Sequence, residues 1–229
     1  MIGPTNPEES HESPAAGAPE ATRHDLQLGR RLFHMLNGVS TGTAYALLFT
    51  HEQVVHVFGT IVCIVYVVDR IRIAYPESVE RRTPWVNRLF VRAEERVRES
   101  AMIPYAIAAL LTILTMPKRA ALVGIYTLGI ADPLAAIVGI RYGRHQIAHN
   151  RSIEGSLTFF VVASAIAGLV LGWDTDASSL RLAGSAATIA LVAAACEAVP
   201  LRIDDNLTIP LFVGFGTWIV GTLFGLALT

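Results

Sequence analysis

The sequence predicts an all-α fold, a polytopic integral membrane helical bundle of about 6–7 transmembrane helices. Of the 229 residues, 52% are hydrophobic and only 16% are charged. Soluble domains carry about a quarter charged residues, so most of this chain is expected to contact lipid. The mean hydropathy of +0.48 points the same way. A formal net charge of −1 gives no indication of a nucleic-acid partner.

Seven stretches are candidates for membrane spans, each of which needs about 20 mostly apolar residues. The first two are short or polar, so six spans are an alternative to seven. The candidate segments lie near residues 32–50, 53–69, 101–117, 119–140, 156–173, 180–200 and 207–228.

The N-terminal residues 1–25 differ from the rest of the chain. They are rich in Pro, Glu, Ala and Ser and contain no apolar stretch. Such a segment cannot bury enough surface to offset its ordering entropy. We therefore predict a disordered tail over 1–25, followed by a single transmembrane domain over 26–229. The tail also lacks the apolar region of a signal peptide, so membrane targeting is expected to come from the spans.

The arginines and lysines indicate an orientation. Eight arginines lie within 69–99, and among the loops assigned to the opposite side only 117–119 carries basic residues, Lys118 and Arg119. Because cytoplasmic loops carry an excess of basic residues, the basic loops are predicted to be cytoplasmic. The segments placed there are the N-terminus, 69–99, 141–155 and 201–206. Within 69–99, residues 88–100 are expected to form either an amphipathic helix on the headgroups or a solvated helix.

One carboxylate, Asp132, interrupts the fourth predicted span. An Asp at the centre of a membrane helix costs on the order of 2.5–3.5 kcal/mol and is usually retained for function. Pro133 lacks an N–H and disfavours helical geometry at the residue before it, so the helix is expected to break here. A hard cation on Asp132 with basic residues downstream would suit a polyphosphate. The alternative is tight helix packing through Gly139 and Gly143, with Asp132 in a buried ion pair.

Three further polar stretches lie at predicted cytoplasmic ends of spans. Each also has a simpler interpretation, as helix caps or as topology signals. Carboxylates and amides at the third stretch are ligands of the type that magnesium prefers. The stretches contain Arg30, Arg31 and His34; then Ser152, Glu154, Gly155 and Ser156; then Asp204, Asp205 and Asn206.

In this order, the four stretches resemble the polyprenol kinase family, which includes dolichol kinase, phytol and farnesol kinases and CTP-dependent diacylglycerol kinase. The resemblance covers residues 28–228. It depends on four motifs, namely RRLFH (30–34), ADPLAAIVGIRYG (131–143), RSIEGS (151–156) and DNLTIP (205–210). The stretch VVDRIR (67–72) is a weaker match to the end of the family's second span.

The resemblance implies a membrane lipid kinase that transfers the γ-phosphate of CTP, or of another nucleoside triphosphate, to a lipid alcohol with the help of Mg²⁺. The site would face the cytoplasm. The implied catalytic residues are Asp132, Arg30 and Arg31. The implied nucleotide-binding residues are Gly139, Arg141, Gly143, Arg151, Ser152, Glu154, Gly155 and Ser156. The implied magnesium ligands are Asp132, Asp205 and Asn206, and further polar candidates are His34, Asp69 and Arg72.

The sequence also departs from the family pattern. Ala131 stands where the family usually has glycine, and Arg31 and Arg151 stand where it usually has lysine. Arginine keeps the charge but has a planar head with a different donor geometry. Two other functions stay open from sequence, a CTP-using cytidylyltransferase and a non-enzymatic membrane transporter or scaffold. The sequence does not specify the lipid, the donor base or the oligomeric state.

Overall fold

The computed structural model describes residues 28–82, 100, 102–148, 151–198 and 204–229. The predicted tail over 1–25 and nearly all of the predicted helix over 88–100 lie outside the described residues. The helices, in chain order, are α1 (Leu28–Leu47), α2 (His51–Ala74), α3 (Pro76–Arg82), α4 (Met102–Thr115), α5 (Lys118–Tyr126), α6 (Asp132–Tyr142), α7 (Ile153–Gly172), α8 (Ser179–Ala198) and α9 (Asp205–Leu223). A π-helical turn, Thr127–Ala131, joins α5 to α6, and the short strands β1 (Gln146–Ala148) and β2 (Arg151–Ser152) pair antiparallel before α7.

The all-α membrane bundle is confirmed. A helix covers each of the seven candidate segments. Within the described ranges, five helical stretches are by length and composition apolar enough to cross a membrane; they are His51–Ala74, Lys118–Tyr142, Ile153–Gly172, Ser179–Ala198 and Asp205–Leu223. Helix α4 is apolar but has only 14 residues.

The predicted helix break at Asp132 is wrong. Asp132 has helical dihedral angles (φ −61°, ψ −52°), and the chain is helical from Lys118 through Tyr142. The irregularity lies one turn earlier, where the N–H of Asp132 donates to the carbonyl of Thr127. A π turn places one extra residue in the helix. Here the π turn replaces the regular α-helical turn that Pro133 would otherwise distort. Ala131 has φ −68°, so this position does not require glycine.

Glycines bring α1 against the α5–α6 span. A Cβ on Gly38 would lie 2.6 Å from the Cα of Gly129, so the two backbones cross without side chains between them. One turn further on, the Thr43 hydroxyl lies 3.1 Å from the Tyr126 hydroxyl. The two helices run antiparallel, because higher numbers in α1 meet lower numbers in the span. In this antiparallel arrangement, the start of α1 lies on the side of the crossing where α6 and Asp132 lie.

Two more close approaches position the starts of α7 and α9. A Cβ on Gly155 would lie 3.3 Å from the Cα of Gly139, so α7 packs on α6 at backbone distance. A Cβ on Gly124 would lie 2.5 Å from the carbonyl oxygen of Pro210, so α9 packs equally closely on α5. The core between these helices is apolar and includes the fully buried Phe159. The starts of α1, α7 and α9 therefore lie at one end of the bundle, which we call the site end.

The opposite end of the bundle is closed by backbone capping. Lys118 Nζ donates to the carbonyl of Ala46 at the end of α1. Arg119 donates to the carbonyl of Leu171 at the end of α7, and its own backbone N–H donates to Leu228 in the folded-back C-terminal segment. These two basic residues, the exceptions in the charge pattern, thus satisfy carbonyl groups that helix ends leave without intrahelical partners.

Candidate functional site

The carboxylate of Asp132 interacts electrostatically with four other charged side chains, and together they form a charged cluster. The charged groups that act on its carboxylate come from three other elements, and they are Asp205, Arg151, Arg31 and Asp204. These residues lie on α1, β2 and the start of α9, and they come from the three further polar stretches that the sequence analysis singled out. The fold therefore brings together groups separated by more than 170 positions in sequence, from Arg31 to Asp205.

Arg151 links two acidic residues within this cluster. Its Nη2 lies 2.8 Å from Asp205 Oδ2. Its Nη1 forms an ion pair with Oε1 of Glu197, in the last turn of α8. Glu197 was missed at the sequence level. The signal that could have found it is the one that identified Asp132, because a carboxylate in an apolar helix is costly.

The start of α9 supplies two carboxylates. Asp204 is the N-cap, and its Oδ1 accepts the backbone N–H of Asn206 at 2.8 Å. The capping interpretation of this stretch therefore holds for Asp204. The next residue, Asp205, is directed to Arg151 instead. That the side-chain amide of Asn206 binds magnesium stays a prediction.

The beginning of α1 approaches the cluster from the other side. Arg31 is half-buried, and its charge acts on Asp132. His34 packs edge-to-face on Tyr105, with 5.1 Å between ring centroids, and interacts with the charges of Asp204 and Arg31. Arg30 lies in the first turn of the same helix, and its catalytic role stays a prediction.

The glycines of the second and third stretches pack on one another and on Ser152. Ser152 is buried and caps α7, with its Oγ accepting the N–H of Gly155 at 3.1 Å. A Cβ on Gly139 or on Gly155 would lie 3.1 Å or 3.2 Å from this same oxygen, and Gly143 also approaches Ser152 closely. Tight packing and capping, the simpler interpretations, account for these contacts. A nucleotide-binding role for these residues stays a prediction.

The remaining nucleotide-binding candidates lie around the β1–β2 hairpin. Glu154 Oε1 lies 2.9 Å from Nδ1 of His145, which ties the first turn of α7 to the residue before β1. Arg141 is exposed, and its guanidinium carbon lies 5.5 Å from the Tyr142 ring centroid. Ser156 is half-buried one turn into α7. None of these contacts decides a nucleotide role, which stays a prediction.

Asp69 and Arg72 form a buried pair in the last turns of α2. Arg72 Nη2 lies 2.8 Å from Asp69 Oδ1, and the exposed fractions of the two side chains are 4% and 6%. A pair at this spacing is on one face of the helix, so mutual neutralisation is sufficient to account for the motif. Its participation in the site stays a prediction.

The cluster offers oxygen ligands but no complete protein cage for a metal. Among the described residues, no group of three or more His, Cys, Asp and Glu side chains is arranged to hold a metal ion. Magnesium commonly binds through one or two carboxylates plus substrate phosphates and water. Asp132 and Asp205 interact electrostatically, and their carboxylates are oxygen donors of the type that magnesium prefers, so magnesium binding here stays a prediction.

The fold and the cluster define a class, a multi-pass helical membrane protein with acidic and basic side chains gathered at one end of its bundle. The chain is 24% identical to the CTP-dependent diacylglycerol kinase 1 of Saccharomyces cerevisiae over 208 residues, which is 82% of this chain and 71% of the yeast protein. It is 35% identical to a phytol kinase of Synechocystis over 101 residues, 43% of each chain.

An uncharacterised protein of Rickettsia prowazekii is 39% identical over 104 residues, which span 44% of this chain and 48% of that protein. No family model and no solved structure matches the chain. The similarities support a lipid-kinase-like family at low identity. They agree with the resemblance seen in the motifs at the level of a lipid-kinase-like family.

Proposed function

We propose that the protein is a CTP-dependent lipid-alcohol kinase that phosphorylates a membrane alcohol of the polyprenol, phytol, farnesol or diacylglycerol type. The observation that carries this proposal is the placement of Asp132. It lies within an apolar span and interacts with the charges of two arginines and two further aspartates. Two relatives whose names specify lipid kinases support the same reaction class.

The arrangement suits phosphoryl transfer, which asks the protein mainly for positioning and electrostatic stabilisation. Arg31 and Arg151 would neutralise oxygens of the triphosphate. Asp132 and Asp205, with the Asn206 amide, would hold a magnesium ion, which would supply further neutralisation of the phosphate charge.

The chemical step transfers one phosphoryl group. The lipid hydroxyl oxygen forms a bond to the γ-phosphorus, and the bond from that phosphorus to the β–γ bridging oxygen breaks. CDP leaves, and the lipid becomes a phosphomonoester. The hydroxyl proton passes to a carboxylate, for which Asp132 is the first candidate and Asp205 the second.

The position of the cluster suits a substrate that is half in the membrane. Asp132 is the fifteenth residue of the span Lys118–Tyr142, counted from its first residue. The lipid hydroxyl would have to reach this depth, whereas the nucleotide would approach from the site end. We propose that the site end faces the cytoplasm, because described basic residues lie at this end, among them Arg31, Arg141 and Arg151.

The test uses the purified full chain in detergent with magnesium. Labelled γ-phosphate on CTP, ATP, UTP or GTP is offered with a panel of lipid alcohols, and label is followed into the organic phase. We expect transfer from CTP, with CDP as the second product and loss of transfer when EDTA removes the metal. Pyrophosphate and a CMP-lipid would instead identify a cytidylyltransferase. Folded protein that neither binds a nucleotide nor transfers label would contradict both enzymes and favour a transporter or scaffold.

A further inference from the structure

Glu197 occupies a position that is unfavourable for a carboxylate in two ways. Only 7% of its side chain is exposed, so its charge is largely removed from water. It also lies in the last turn of α8, where a negative charge opposes the helix dipole. Such a residue requires a compensating cation.

Arg151 supplies that cation and is shared with a second carboxylate. Its Nη1 pairs with Glu197 Oε1, and its Nη2 pairs with Asp205 Oδ2 at 2.8 Å. A guanidinium is planar and carries five N–H donors, so two carboxylates can hold it through separate nitrogens while other N–H groups stay available. An ammonium group, a compact point charge, offers no such fixed geometry.

The two carboxylates differ as anchors. The side chain of Asp205 is 54% exposed, whereas that of Glu197 is 7% exposed. An exposed ion pair is weakened by solvent and by side-chain freedom, so the orientation of the guanidinium depends mainly on Glu197. That orientation matters because the charge of Arg151 acts on Asp132.

We infer that Glu197 is a positioning residue that anchors the Arg151 guanidinium beside Asp132 and thereby sets the affinity of the site for the triphosphate of CTP. The inference rests on the proposed function, since it assigns the triphosphate to this cluster. Glu197 acts through Arg151 and does not itself touch the substrate.

A conservative variant isolates this role. Within the described part of the chain, Glu197 Oε2 is buried and has no hydrogen-bond partner. The Glu197→Gln exchange therefore removes the charge and preserves the shape without breaking a second hydrogen bond. Glu52→Gln is the matched control, because Glu52 is exposed in the first turn of α2.

The experiment is a double-mutant cycle on equilibrium CTP binding. The dissociation constant and the number of sites per protein are measured with labelled CTP and magnesium, for wild type, Glu197→Gln, Arg151→Ala, the double variant and Glu52→Gln. We expect Glu197→Gln to weaken binding by about tenfold, which corresponds to about one charge-assisted interaction. The double variant should bind no more weakly than Arg151→Ala alone, because Glu197 acts through Arg151. Glu52→Gln should bind like wild type.

The outcomes separate this inference from the proposed function. The positioning role would be overturned if the double variant raised the dissociation constant for CTP by the product of the two single effects, or if Glu197→Gln bound CTP like wild type, even with an active kinase. A lower number of CTP sites per protein molecule, with unchanged affinity at those sites, would indicate a purely structural role and would also overturn it. Wild type that binds CTP but phosphorylates no alcohol would contradict the kinase alone, and the cycle would still decide the role of Glu197. Wild type that binds no CTP would contradict both.

If Glu197→Gln does not fold, Glu197→Asp takes its place in the cycle. It keeps the charge but withdraws the carboxylate by one methylene, so the guanidinium is held less well. A loss of affinity of about threefold is expected, smaller than for loss of the charge. Unchanged affinity in this variant would contradict the inference.

Discussion

The two ends of the bundle use their charged residues differently. At the far end, Lys118 and Arg119 donate to backbone carbonyls at the ends of α1 and α7. At the site end, Arg151 pairs with the side chains of Glu197 and Asp205, and its charge acts on Asp132. A cation that caps a carbonyl satisfies a hydrogen-bond acceptor that the helix end leaves free. Acidic and basic side chains buried together in an apolar bundle must be desolvated, which makes folding less favourable. The difference indicates that the far-end cations stabilise helix ends, whereas the charges gathered at the site end are not accounted for by capping and, under the proposed function, act on the substrate.

The largest effect is expected from a substitution that separates α1 from the span Lys118–Tyr142. Gly38→Ala would place a Cβ 2.6 Å from the Gly129 backbone and 2.8 Å from the Tyr105 hydroxyl. We expect a loss of about 1–3 kcal/mol from overpacking, and a larger loss of CTP-dependent activity than of folded protein, because Arg31 and His34 move with α1. Thermal unfolding in detergent and lipid phosphorylation measure the two effects.

Gly29→Ala is the control for this helix. Among the described residues, no heavy atom lies within 4 Å of a Cβ built on Gly29. Alanine is also the better helix former, so unfolding temperature and activity should be unchanged or slightly raised. Equal effects of the two substitutions would contradict the account of the helix crossing.

The far end is tested by removing one capping cation. Arg119→Met removes the donors to Leu171 and Asp174. A hydrogen bond contributes about 0.5–1.5 kcal/mol, so the unfolding temperature should fall while activity per folded molecule stays the same. Arg181→Met, at an exposed arginine near the same end, is the control and should be neutral. Lost activity in folded Arg119→Met would show that the far end is not only structural.

Two helix caps give the most closely matched test, in which the stability losses are similar and the difference in activity is small. Ser152 caps α7 at the site end, and Thr50 caps α2 at the far end. Replacing either residue by alanine should cost about 0.5–2 kcal/mol of stability. If Ser152 also contributes to nucleotide binding, only Ser152→Ala will raise the KM for CTP. Equal KM values in both variants would assign Ser152 to capping alone.

Much of the fold could be predicted because lipid imposes a strong constraint on sequence. The apolar runs located a helix in each of the seven candidate segments, including Lys118–Tyr142, but not the short helix α3. The π turn at Thr127–Ala131 could not be located in this way. Pro133 indicated an irregular backbone, but the irregularity lies in the preceding turn, at the point where Gly129 crosses Gly38 at backbone distance.

The candidate site was predictable only in part. Asp132 was singled out as a carboxylate within an apolar span and Asp205 as an acidic group at the end of a span, and the resemblance added a role for Arg151. The fold brings these charges together. Glu197 matches no local motif, and its position as a carboxylate in an apolar helix was the one sequence signal that pointed to it. Its partner, Arg151, lies 46 positions away in sequence and is identified only by the fold.

The most direct test of the account compares one substitution at the two ends. Asp132→Asn and Asp176→Asn remove the same charge, the first inside the site end and the second at an exposed position of the loop before α8. We expect Asp132→Asn to lower CTP-dependent lipid phosphorylation by at least about 100-fold, because electrostatic stabilisation is the main contribution asked of the site. The variant should stay folded and membrane-inserted, and Asp176→Asn should retain wild-type turnover. Wild-type turnover in folded Asp132→Asn would contradict the central claim.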